Sequence, residues 1–157
     1  MKKLFFVICM MLMSVATFAQ QGKMTVGVHG NYMIDSPNNF GIGANIGYEL
    51  IDNVRGVAEF NYFFKKDYVS YWNVDVNAEY LFKVGDAFTI YPLAGVALLG
   101  YKVDSDLGGA SDSKLGLNIG AGVEYQVSSS LALKAEYNYK TQWDGGSFLK
   151  FGVVFPF

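Results

Sequence analysis

Ser147-Phe-Leu-Lys-Phe-Gly-Val-Val-Phe-Pro-Phe157 closes the chain, and its reading decides the fold. Counted two by two, Leu149, Phe151, Val153, Phe155 and Phe157 share one face. Phe148, Lys150, Gly152, Val154 and Pro156 share the other. A period of two marks a β-strand whose faces meet different surroundings. The pattern runs onto Phe-Pro-Phe with nothing polar after it, which does not suit the surface of a soluble enzyme.

Upstream, the same alternation returns in blocks of about ten residues, the length a tilted strand needs to cross a bilayer. The blocks are 24–32, 40–50, 54–64, 72–82, 88–100, 114–127 and 131–140, so the chain predicts eight strands. The clearest block sets Leu115, Leu117, Ile119, Ala121, Val123, Tyr125 and Val127 against Lys114, Gly116, Asn118, Gly120, Gly122, Glu124 and Gln126. Residues 88–100 are apolar on both faces. Phe88, Ile90, Pro92, Ala94, Val96 and Leu98 are assigned to the apolar face, with Pro92 in mild conflict because it cannot donate to a ladder. Ser36-Pro-Asn-Asn39, Asp52-Asn53, Gly85-Asp86 and Ser128-Ser-Ser130 punctuate the blocks as turns. Lys102–Ser113 is expected to be the longest loop. Two hairpins echo each other: Ile42-Gly-Ala44 and Ala58-Glu-Phe-Asn-Tyr62 return as Ile119-Gly-Ala121 and Ala135-Glu-Tyr-Asn-Tyr139.

The 157 residues suffice for one domain, and 17% aromatics with 18 glycines and three prolines favour an ordered β-protein. Lys2-Lys3, the apolar run Leu4–Met13 and the small residues Thr17 and Ala19 have the layout of a secretory signal peptide over 1–19. That leaves 20–157 as the barrel domain. The single cysteine, Cys9, lies in the leader after Val7-Ile8, which speaks against a lipid anchor, and the mature part has no disulfide. Without Lys2 and Lys3, ten basic side chains stand against fourteen acidic ones, a net charge of −4. No basic patch offers itself to nucleic acid. Strands are the remaining route through a membrane.

Three features turn the apolar faces outward. An eight-stranded barrel has room inside for small and polar side chains, and the bulky set fits better outside. The rings gather at strand ends, Tyr48, Tyr80, Phe82, Phe88, Tyr125, Phe155 and Phe157 at one rim, and Tyr32, Phe40, Tyr62, Phe64, Trp72, Tyr137 and Tyr139 at the other. Two such girdles around an aliphatic band match two membrane–water interfaces. Turns after the second, fourth and sixth strands are short, whereas the one after the fifth is long. A soluble lipocalin-like barrel would invert the faces.

With its leader, eight alternating strands, uneven turns and Phe157, the chain resembles the small OmpA/OmpX-type outer-membrane barrels over essentially its whole mature length. The resemblance implies an all-β, eight-stranded antiparallel up-and-down transmembrane barrel in a Gram-negative outer membrane, with both termini in the periplasm. It also implies that Phe157, Phe155, Val153 and Phe151 form the signal read by the barrel-assembly machinery. As the sequence stands, no peptidoglycan-binding domain follows Phe157, so anchoring to the cell wall is not expected.

The inward faces carry Glu49, Glu59, Asp75, Glu79, Glu124 and Glu136 with Arg55, Lys114, Lys134, Lys140 and Lys150. Charges in so narrow an interior must pair, since an orphaned one costs about 3–5 kcal/mol. A structural charge network is therefore expected, centred on Arg55, Lys134, Glu59, Glu136 and Glu124 and joined by Glu49, Glu79, Asp75 and Lys150. His29, the only histidine, invites comparison with barrels that modify lipid A, but no serine adjoins it on the inward faces. Asp104-Ser-Asp106 through Asp112 has Gly108 and Leu115 where a calcium loop needs acidic ligands. No catalytic residue, cofactor or metal is expected. The expected role is structural or surface-interactive, as a monomer in outer-membrane lipid whose loops meet an extracellular ligand. A narrow porin-like channel and a lipid A-modifying enzyme are the alternatives.

Overall fold

The computed structural model describes residues 2–3, 24–35, 38–66, 68–104, 108–142 and 145–157. The expected leader over 1–19 lies outside them apart from Lys2 and Lys3. The strands are β1 (Met24–Met33), β2 (Asn39–Ile51), β3 (Val54–Lys66), β4 (Val69–Tyr80), β5 (Phe82–Val84), β6 (Phe88–Val103), β7 (Ala110–Ser128), β8 (Leu131–Lys140) and β9 (Gly146–Pro156). Each pairs antiparallel with its neighbours, β1 with β9, and β4 with β6. β5 continues β4 past Leu81 along the same partner β6, so nine runs make eight staves. The sheet closes on itself. No edge is left along the shared wall, as a bilayer requires.

Alternation places the side chains as the sequence predicts. Val28, Ile42, Phe60, Val76, Ile119 and Phe151 point outward and are exposed, while His29, Asn61, Asp75, Asn118 and Lys150 are buried inside. On β6, Phe88, Ile90 and Val96 face outward, and Tyr91, Leu93, Ala97 and Leu99 are buried in the lumen. Both faces of this strand are apolar because its inner face helps fill the lumen. The two echoing hairpins share one register: Ile42 faces Tyr62 as Ile119 faces Tyr139.

Two expectations fail on the upper part of β7. Lys102–Ser113 is mostly ladder rather than loop, with Lys102 paired to Ser111 and Gly100 to Ser113. Above the membrane there is neither lipid nor lumen to impose alternation, so the strands continue without their signature. β8 pairs with β7 only from Asn118 onward, and among the described residues no strand pairs with 110–116 on that side. Lys114, expected inside, is exposed on this projecting part. Across the rim, Lys65 Nζ bonds Asp104 Oδ2 at 2.9 Å, and the Asp104 N–H donates to the Tyr68 carbonyl at 2.9 Å. The Lys65 ammonium, by its hydrogen bond and charge, holds the Asp104 carboxyl below its ordinary value, with Lys102 adding to the effect.

Candidate functional site: the barrel lumen

Small inward residues make the space that charges occupy. A Cβ at Gly122 would collide with the phenol end of Tyr91. Gly47 likewise leaves room for the aliphatic stem of Arg55. Glycine on one stave thus admits a long side chain from another.

Near the rim that carries Met24 and Phe157, Arg55 donates from Nε to Glu79 at 2.7 Å and from Nη2 to Glu124 at 2.7 Å. Its second Nη reaches the other Glu124 oxygen at 3.4 Å, so the fork grips that carboxylate with both arms. Lys134 lies 3.3 Å from Glu79 and 3.0 Å from Glu136. Tyr91 donates its hydroxyl to Glu136 at 2.8 Å, and its ring lies 5.1 Å from the Lys134 ammonium and 5.7 Å from the Arg55 guanidinium carbon. Higher up, Lys150 bonds Glu59, with Glu136 at 3.5 Å and Asp75 at 3.7 Å. Lys140 bonds Asp75 at 2.5 Å. Many of these partners stand on staves that do not touch, so the bonds cross the lumen.

The hairpin echo becomes chemistry here. Asn61 donates to Glu59 at 2.7 Å, and Asn138, at the matching place, donates to Glu136 at 2.6 Å. Both carboxylates meet the one Lys150 ammonium.

Apolar clusters lie against the charges. Met33, Phe63 and Phe148 pack together toward the hairpin rim with Tyr71 against them. The two phenyl rings are 5.6 Å apart, and the Lys140 ammonium sits 5.0 Å from Phe148. Leu81, Tyr91 and Leu93 form the second cluster.

Of the side chains expected in the network, Arg55, Lys134, Glu59, Glu136, Glu124, Glu79, Asp75 and Lys150 come together. Glu49 stands beside the Asp52-Asn53 turn, where it accepts the Asn53 N–H at 3.3 Å. Sequence reasoning placed Lys140 inward but left it out of the network, and it missed Tyr91 and the aromatic packing altogether. His29 is buried between amides: its Nε2 meets Asn61 Oδ1 at 2.7 Å, and Asn45 donates to Nδ1 at 3.2 Å. Those two contacts match the neutral ring with its proton on Nε2. Glu59 lies 3.8 Å away. Among the described residues, no three His, Cys, Asp or Glu side chains gather as a metal site would need. Residues 105–107 of the Asp104–Asp112 stretch lie outside the described residues.

A closed barrel of eight staves, lipid-like outside and charge-filled within, matches the family described as Outer membrane protein beta-barrel domain over residues 5–156. The chain belongs to that family. Outer membrane protein P5 of Haemophilus influenzae is 29% identical over 133 residues, covering 78% of this chain. The match takes in 36% of P5, so the chain spans about a third of the length of that relative. Among solved structures, the N-terminal β-barrel domain of Pseudomonas aeruginosa OprF superposes with a TM-score of 0.74 at 24% identity, covering 87% of this chain and 98% of that one. Ail, the attachment invasion locus protein of Yersinia pestis, gives a TM-score of 0.64 at 19% identity, with 87% and 99% covered. These likenesses place this outer-membrane barrel protein in the outer membrane and establish its fold.

Proposed function

We propose that this outer-membrane barrel is a surface-interaction protein whose membrane part is a filled anchor and whose projecting hairpin meets an extracellular partner. The observation that carries the reading is the open flank of β7. From Ala110 to Leu115 the strand is paired to β6 and, among the described residues, to no strand on its other side. At about 3.4 Å per residue, roughly 20 Å of unpaired backbone stands above β8. An exposed edge offers itself to an added strand, and side chains along it supply selectivity. Asp112 and Lys114 on the flank discourage indiscriminate pairing. Ail, which shares the fold, is named for attachment, and this lends support.

In this reading the leader over 1–19 is cleaved on export and the chain ends stay in the periplasm. The β9 stripe Phe151, Val153, Phe155 and Phe157 is what the assembly machinery reads. Lipid A chemistry fits less well, because both His29 nitrogens are engaged by amides. The cross-lumen charges are the feature that favours the second reading, a narrow ion channel.

Proline substitutions test the edge. Leu117 directs its N–H and carbonyl toward Thr141 on the β8 side, so Leu115, two residues earlier, directs its own toward the open flank. Leu115→Pro should spare the β6 ladder while blocking strand addition, whereas Asp112→Pro should break that ladder. In nanodiscs screened against matrix proteins and glycans, binding should be lost in Leu115→Pro at parent stability. If every bound component is held equally well by Leu115→Pro, the open edge is not the docking surface.

A further inference from the structure

Three glycines point outward from the membrane-facing wall among the described residues, and their surroundings differ. Leu50 covers Gly56, and the Trp72 ring covers Gly100. A Cβ at Gly30 would meet only the Phe151 carbonyl oxygen, at 3.9 Å. Around Gly30 the wall is hollowed into a groove of about 620 Å³ over Gly30 and Ala44, with Phe151 on one bank and Ile42, Phe60 and Tyr62 on the other. Phe151 is 63% exposed and is the direct ladder partner of Gly30. A hole and a knob therefore stand side by side on neighbouring staves.

We propose that this hollow and this ring form the contact between two copies of the chain, related by a two-fold axis along the membrane normal. It differs from the monomer expected from the sequence, and it does not depend on what the hairpin binds. The bilayer fixes each copy's depth and direction, so two barrels in one membrane differ only by a rotation about the normal and a sideways shift. A two-fold contact brings one patch against itself, and a knob can then fill a hole only if both lie at a similar depth. Strands about 4.8 Å apart and tilted by about 40° separate paired residues by only about 3 Å along the normal. Ring and hole satisfy that condition.

In lipid, association relies on packing rather than on the hydrophobic effect, and small residues that admit a close neighbour promote it. The patch carries no charge that lipid or a partner would have to desolvate. Rings of 150–250 Å² at the exposures of Phe60, Tyr62 and Phe151, with their aliphatic neighbours, leave roughly 600 Å² per copy, so a pair would bury on the order of 1,200 Å². That reaches the range of specific interfaces. An acyl chain could lie in the groove too, but it has no need of the adjacent ring.

The test uses the full chain with Cys9→Ser and Asp52→Cys, labelled with donor or acceptor dye at the exposed turn. Energy transfer is followed in phosphatidylcholine vesicles as lipid is added. The expected result is transfer that disappears on dilution, with its half-point moved about tenfold toward higher protein content by Gly30→Leu. Ala44→Leu, which fills the hollow from β2, should act alike. Val96→Leu, outward on β6 and away from the staves that line the groove, should leave the half-point where it was. Heat-modifiable migration on gels checks that each variant remains a barrel. Transfer no greater than that of randomly placed copies would overturn the proposal. So would equal weakening by Val96→Leu, or a photoreactive acyl chain that labels Phe151 while no transfer is seen.

Discussion

Lys150 is the side chain through which the two halves of the lumen communicate, since its ammonium is shared by Glu59, Glu136 and Asp75. The three do not depend on it equally. Glu136 keeps Lys134, Tyr91 and Asn138, and Asp75 keeps Lys140. Glu59 would be left with Asn61 and a neutral His29. Lys150→Met should therefore destabilise the barrel by about 3–5 kcal/mol, the cost of orphaning one buried charge. Adding Glu59→Gln should return most of that loss. Urea unfolding of the parent, the single and the double variant in vesicles measures both effects, and a single variant as stable as the parent would contradict the pairing. The inward position of Lys150 was legible from the period of two alone. Its partners were not, because they lie across a ring whose closure and stagger alternation does not encode. Lys140 was missed for the same reason: Asp75 is 65 residues away along the chain and three staves away around the barrel. Tyr91 escaped because the period of two puts it on the inward face of β6 without showing that its hydroxyl and ring meet the charges there.

At the level of the strand, alternation was a good guide wherever one face met lipid and the other met the lumen, and it failed where that contrast ends. β9 is the favourable case. Val153 faces outward between Val28 and Leu133 on the neighbouring staves, midway along the aliphatic band. Val153→Lys should cost about 2–4 kcal/mol, the charge now lying near the middle of the bilayer. Folding titrations into vesicles measure it, and an unchanged stability would mean that this face does not meet lipid. The upper part of the β6–β7 hairpin is the opposite case. Its Asp, Ser and Gly residues suggest a loop, yet the ladder runs to the pair Val103 and Ala110. There the fold is carried by backbone hydrogen bonds begun lower down, in the membrane. Side chains exposed on both faces have no reason to alternate, so composition alone could not distinguish this ladder from a loop.

Taken whole, the barrel encloses charges packed against aromatic rings, and this bears on whether anything passes through it. If only salt bridges obstructed the lumen, exchanging partners could open a path at little cost, because each carboxylate has several cations within reach. Met33, Phe63 and Phe148 make that insufficient, since they obstruct the path toward the hairpin rim with groups that have no alternative polar partner. Water entering between Phe63 and Phe148 would have to part rings 5.6 Å apart and separate Phe148 from the Lys140 ammonium. An eight-stave interior has no width to spare for a detour around them. The parent protein should accordingly insert into planar bilayers without steady current steps. Phe63→Ala with Phe148→Ala removes both rings and should give measurable steps, whereas Lys134→Gln, which alters the charge pairing below, should not. Currents in the parent as large as in the double alanine variant would mean that the rings are no barrier. Steps in Lys134→Gln alone would move the barrier from the rings to the charges, and with it the balance between anchor and channel.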